Sequence, residues 1–218
     1  MSGFDAARIN MIERQLQPNK ITDERLIEAF AAVRRELFLP ERQRGIAYSD
    51  DDLPLGNGRF LMAPMVAARL LQAAEVERGD NALVVGAGVG YEAAVLGLLC
   101  RSVVALETDG ELARLGRSAL VEHRLANVNF TDAAPAAAGR SRPVYEVIFF
   151  AGAVAEIPSE FSGQLMEGGR LVAVVRSDSG PGRATLVTRT GGTLAPRVMF
   201  DAATPFLPGY ARKPAFVF

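Results

Sequence analysis

At 218 residues the chain is long enough for one domain with a substantial core, and 49% hydrophobic against 22% charged residues excludes long disorder. Lys and Arg total 24 against 25 for Asp and Glu, so no global field exists to hold a nucleic-acid backbone or an anionic membrane, and neither partner is expected. The sole cysteine, Cys100, excludes an intramolecular disulfide and any cysteine-cluster metal site, and fits a reducing compartment.

The first residues carry no apolar run flanked by basic residues and a cleavage site, so no signal peptide is expected. The longest apolar stretches, residues 93–99 and 147–155, fall short of the roughly 20 residues a spanning helix needs, which makes the cytoplasm the expected location. Met11, Ile12 and Leu16 recur at helical spacing, and Leu26, Ile27, Phe30 and Val33 do so again after Thr22-Asp23, a cap signal for a second helix. Residues 38–64 hold Pro40, Pro54, Gly56, Gly58 and Pro64 and read as an extended, turn-rich connection. Phe38, Leu39, Ile46, Tyr48, Leu53, Leu55, Phe60 and Leu61 need a surface to pack on, so this stretch is expected to lie across the main domain.

Val66, Leu70, Leu71 and Ala74 mark a helix that Gly79-Asp80 breaks. Strands at 82–85, 103–107, 128–131, 144–151 and 171–175 then alternate with helices at 91–99, 111–122 and near 158–166, the pattern of a parallel sheet covered on both faces. Residues 184–189 and 195–202 flank Gly191-Gly192 as a hairpin, residues 215–218 offer a last short strand, and the Ala-rich piece 133–138 reads as a loop. The fold class is therefore α/β: a doubly wound, mostly parallel sheet of about seven strands with an antiparallel C-terminal edge, preceded by N-terminal helices. One domain is expected, with residues 1–64 as helices and covering segment and 65–218 as a Rossmann-like core.

The stretch Val84-Val85-Gly86-Ala87-Gly88-Val89-Gly90-Tyr91 runs from a buried strand through a glycine-rich turn into a helix. Gly86, Gly88 and Gly90 permit positive φ and let a ligand approach the backbone near the free N–H groups of the helix start; a nucleoside cofactor is the natural guest. Glu107, about 20 residues on at the end of the next strand, is placed to hold ribose hydroxyls. The same triplet also makes a tight turn that binds nothing, and G-x-G-x-x-G hydride chemistry is the competing enzyme class. Asp132, after the following strand, is placed to reach an adenine amino group or is a simple turn residue. Ala151-Gly152-Ala153 offers a small-residue floor where a substrate would meet the cofactor. His123, the one histidine, reads as a surface or capping residue, Cys100 as packing, and the acidic run 50–52, Arg34-Arg35, Arg42 and Arg44 as solvated.

Nearly the whole chain resembles the protein-L-isoaspartate O-methyltransferase family of class I methyltransferases. The likeness rests on Val33-Arg34-Arg35-Glu36-Leu37-Phe38-Leu39-Pro40, Ala47-Tyr48-Ser49-Asp50 leading to Leu53-Pro54-Leu55-Gly56, Ala63-Pro64, the glycine loop through Leu96, and Gln164-Leu165 to Gly168-Gly169-Arg170-Leu171-Val172. It implies methyl transfer from S-adenosylmethionine to the carboxyl group of isoaspartyl residues in damaged proteins, which is protein repair. A carboxylate is already ionised near neutral pH, so such an enzyme needs alignment and exclusion of water more than a general base. The resemblance assigns cofactor binding to Gly86, Gly88, Gly90, Glu107, Asp132 and Ala151, and peptide binding to Phe60, Leu61, Ala63 and Pro64. Met62 stands at the catalytic position where the family has serine, Val84 where it has an acid, and Val89 where it has the loop serine. These apolar replacements motivate a second reading, a catalytically silent binding or scaffold homologue, and a third, a methyltransferase with a different substrate. No oligomeric state follows from the residues.

Overall fold

The computed structural model describes residues 3–133, 144–177 and 180–212. Helix α1 (Gly3–Met11) continues through a π-helical turn (Ile12–Leu16) and a 3-10 turn (Gln17–Asn19). Helix α2 (Glu24–Ala32) starts at the cap read from sequence: the Asp23 carboxylate accepts from the N–H groups of Arg25 and Leu26.

The following stretch is more ordered than an extended connection. It forms 3-10 turns at Arg35–Phe38 and Glu41–Ile46 and then a hairpin of β1 (Leu53–Gly56) and β2 (Arg59–Leu61). Asn57 and Gly58 turn it with φ of 50° and 71°, the two left-handed residues of a type I′ turn. Leu53 and Leu61 face each other across the hairpin and are both buried, which lays it against the body of the molecule as expected.

Helix α3 (Pro64–Ala73) leads into β3 (Asn81–Val85), α4 (Tyr91–Leu99), β4 (Ser102–Leu106), α5 (Gly110–Glu122) and β5 (Val128–Thr131). Strand β6 (Tyr145–Val154), the short helix α6 (Ser159–Ser162), β7 (Leu165–Val175), β8 (Gly182–Thr190) and β9 (Thr193–Ala202) complete the sheet. Its order is β5-β4-β3-β6-β7-β8-β9, parallel as far as β7 and antiparallel from β7 to β9, which is the expected mixed sheet of seven strands. Around residues 158–166 the expected helix is a single turn. β7 starts early, at Leu165, and carries an irregularity where Gly168 adopts φ 75°. The residues expected as a final strand, 215–218, and most of the Ala-rich piece lie outside the described residues.

Strand residues alternate between two apolar faces. Ala82, Val84, Val103 and Ala105 pack with the N-terminal helices, α3 and α4, while Leu83, Val85, Ile148 and Phe150 pack with Phe161 and Leu207. Burial on both sides explains why these strands read as unbroken apolar runs.

After β9 the chain returns across the strand ends as a strap, residues 204–210. Leu207 N–H donates to the Ala153 carbonyl at 2.8 Å, Ala153 N–H to the Pro205 carbonyl at 2.8 Å, and Ala155 N–H to the Tyr210 carbonyl at 2.8 Å. The Thr204 hydroxyl bonds Asp52 at 3.1 Å at one end, and Tyr210 sets its ring edge-on to Phe150 at the other. Among the described residues no helix is long and apolar enough to cross a membrane.

Candidate active site

The glycine loop sits at the carboxyl end of β3, with Gly86, Gly88 and Gly90 at φ of 68°, 54° and 79°. Gly90 is the left-handed residue from which α4 departs. The loop's amides turn inward: Ala87 N–H donates to the Leu106 carbonyl (3.0 Å), Gly88 N–H to Glu107 Oε2 (2.7 Å) and Gly90 N–H to the Ala87 carbonyl (2.7 Å). Side chains of this chain fill the faces the glycines leave bare. A Cβ at Gly86 would come within 2.5 Å of Leu207 Cδ2, one at Gly90 within 2.5 Å of Phe130 Cζ, and one at Gly88 within 3.3 Å of Leu55.

Glu107 lies at the tip of β4, facing the loop as the sequence suggests, and its side chain is fully buried. Its Oε1 accepts from Arg59 Nη2 (2.8 Å), Arg59 Nε (3.2 Å) and Asp109 N–H (2.8 Å), while Oε2 accepts from Gly88 N–H. Three donors converge on Oε1, more than its two lone pairs, while Oε2 has one donor and keeps one lone-pair site.

Ala151, Gly152 and Ala153 run along β6 beside the loop, and the floor they form is covered: a Cβ at Gly152 would meet Leu207 at 2.8 Å. Leu207 thus closes the same hollow from the Gly86 and Gly152 sides together. What remains beside it is a cavity of about 350 Å³ bounded by Arg59, Gly86, Thr108, Glu160, Pro208 and Tyr210.

The other expected site residues are less concentrated. Asp132 is exposed beyond the end of β5. Leu61, Met62 and Ala63 are buried in the core on the helix-covered face, where Val84 and Val89 also lie, and Pro64 opens α3; of residues 60–64 only Phe60 is partly exposed. His123 has the capping role expected of it: Nε2 accepts from Arg34 N–H (2.8 Å), which makes Nδ1 the protonated nitrogen donating to the Ala119 carbonyl (2.7 Å).

A buried polar cluster under the hairpin has no counterpart in the sequence reading. Arg35, expected in solvent, is fully buried; its Nε and Nη2 donate to the carbonyls of Ala47 and Met62 at 2.7 Å each, and its guanidinium lies 4.6 Å from the Tyr91 ring centroid. Glu92, also buried, has its pKa pushed up to about 7 by burial, against the opposing pull of Arg35. Asp52, half-buried, accepts from Ala63 N–H (2.9 Å) and the Thr204 hydroxyl, and burial raises its pKa as well. The doublet Arg34-Arg35 looks like a solvated pair because charge alone does not reveal that two backbone carbonyls await one member.

Mixed-sheet topology and a glycine turn facing an acidic strand end define an α/β protein of the methyltransferase class. Two solved protein-L-isoaspartate methyltransferases share the fold. One, from Plasmodium falciparum and in complex with S-adenosyl-L-homocysteine, has a TM-score of 0.76 at 17% identity over 94% of this chain and 98% of its own. The other has a TM-score of 0.76 at 22% identity over 93% of this chain and 66% of its own. The chain belongs to the protein-L-isoaspartate(D-aspartate) O-methyltransferase family, whose model matches residues 7–202. It is similar to the protein-L-isoaspartate O-methyltransferases of Koribacter versatilis, at 37% identity over 81% of this chain and 80% of that one, and of Opitutus terrae, at 33% over 98% and 92%. The family match ends at residue 202, just before the strap.

The cradle keeps the groups a nucleoside cofactor would need, three left-handed glycines and a carboxylate at the neighbouring strand tip. In this conformation Leu207 packs on the bare faces of Gly86 and Gly152 and Arg59 holds Glu107, while the cavity beside them stays open at Gly86 and Thr108.

Proposed function

We propose that the protein is a cytoplasmic, S-adenosylmethionine-dependent carboxyl methyltransferase acting on isoaspartyl residues of damaged proteins, built as one domain with residues 1–64 covering a core of 65–218. The single observation that carries this reading is Glu107 at the tip of β4 turned onto the Gly88 amide of the loop after β3, in a chain of this family. Gly86, Gly88, Gly90, Glu107 and Ala151 are assigned to the cofactor, with Asp132 at the adenine end, and the segment 60–64 to the peptide. Met62 holds the catalytic position without a hydroxyl, so alignment of an already ionised carboxylate is the contribution left to the protein. Methyl incorporation into an isoaspartyl peptide tests the proposal; no turnover at saturating cofactor, with an active family member alongside, overturns it.

A second reading, a silent homologue, is favoured by the Leu207 side chain packed on Gly86 and Gly152 and by the Arg59 guanidinium engaging Glu107 Oε1. Calorimetric titration with S-adenosylhomocysteine separates the two, since clear binding removes the silent reading.

A further inference from the structure

The strap lies outside the family match, yet it sits on the most critical space in the molecule. Resting on the reading of the crevice as a cofactor site, we propose that residues 204–210 are an intramolecular gate: Leu207 closes the crevice, and a nucleoside cofactor enters as the strap lifts. The leucine packs on the bare faces of both Gly86 and Gly152, so a ligand that lies directly on these two glycines requires Leu207 to move.

The strap is built to close reversibly. Its backbone joins the body through three hydrogen bonds, to Ala153 twice and to Ala155 once, around one parallel bridge from Ala153 to Phe206, and its start is tied by one side-chain hydrogen bond, Thr204 to Asp52. Pro205 and Pro208 stiffen the span by fixing φ, and Gly209, at φ 86°, supplies the bend beyond it. Burial of Leu207 holds the closed state, while the cavity beside Arg59 and Thr108 gives an entering ligand its first foothold. Apparent affinity is then the intrinsic affinity multiplied by the open fraction, so weakening closure tightens binding without touching the cradle; an open fraction of about a tenth leaves room for a gain of about tenfold.

Titration of the full chain with S-adenosylhomocysteine, together with amide hydrogen exchange, tests the gate. Leu207→Ala is expected to bind about tenfold tighter than the unmodified protein. Thr204→Val, which leaves the leucine in place, shifts the same way and serves if the first variant does not fold. In the unmodified protein, saturating ligand should speed exchange at the amides of Leu207, Ala153 and Ala155, whose hydrogen bonds join the closed strap to the end of β6 and the residue just past it. Unchanged strap protection in the bound protein, or both variants binding no tighter, overturns the gate while leaving the cofactor reading intact. No binding to any of the three folded proteins removes the cofactor reading and the gate together.

Discussion

The Arg59 guanidinium holds the Glu107 carboxylate through two hydrogen bonds, and the pair is nearly sealed from solvent, with side chains 10% and 0% exposed. The contact joins the hairpin to the sheet and occupies the group expected to grip a ribose. Replacing Arg59 by Gln removes the charge while two backbone amides, of Gly88 and Asp109, continue to satisfy Glu107. Breaking a charged hydrogen bond costs about 1.5–3 kcal/mol, a fall of roughly 3–12 °C in melting temperature for a chain of this size. S-adenosylhomocysteine affinity is expected to rise about tenfold as Glu107 is freed, the equivalent of 1.4 kcal/mol. A lower melting temperature without a gain in affinity would make Arg59 a purely structural tie.

The turn that carries Arg59 is the second point of control. Gly58 has φ 71°, and a Cβ there would meet nothing nearer than Pro208 Cγ at 3.4 Å, so Gly58→Ala tests backbone strain without a clash. A left-handed alanine costs roughly 1–2 kcal/mol. The melting temperature should fall accordingly, and exchange at the Gly88 amide, whose acceptor Arg59 steadies, should quicken in step; a slower or unchanged Gly88 amide would uncouple the hairpin from the cradle.

The sequence resemblance sets Met62 where the family is expected to carry a serine, yet Met62 is 1% exposed and packed in the helix-side core, which Met62→Ser tests. Truncating a buried methionine costs about 2–5 kcal/mol. The substitution is expected to lower the melting temperature and to raise neither cofactor binding nor isoaspartyl methylation, because position 62 is sealed in the core. A gain in methylation from this variant alone would show that a hydroxyl at position 62 reaches the substrate.

The parallel strands and the antiparallel end are legible in the sequence because β3 and β6 are buried on both faces and carry unbroken apolar runs, whereas the order of the strands is not. The glycine loop and Glu107 were legible for the same reason, since strand ends place them on one edge. The hairpin was missed although Asn57-Gly58 is a strong turn signal, because β1 and β2 are too short for alternation to show. Leu207 was invisible in a different way: nothing local marks a leucine between two prolines as the side chain that will fill a hollow formed more than fifty residues away in the chain, at Gly152, and more than a hundred away, at Gly86. Arg35 escaped because its partners are backbone carbonyls, which every residue has.

Glu92 gives the molecule a pH signature. Burial lifts its pKa from 4.5 to about 7, while its Oε1 lies buried without a hydrogen-bond partner among the described residues. Because the folded state binds the proton more tightly than the unfolded chain, its contribution to stability is fully present below about pH 4.5 and is lost as pH rises through 7. Glu92→Gln keeps the shape and removes the titration. The variant should therefore match or fall slightly below the parent near pH 5 and exceed it above pH 7.5, by an amount on the order of 2–3 kcal/mol at the upper end. Denaturant melts of both proteins across pH 5 to 9 would show two curves that diverge upward for the variant as pH rises; parallel curves would mean that Arg35, across the cluster, already holds Glu92 ionised and that burial does not govern its charge.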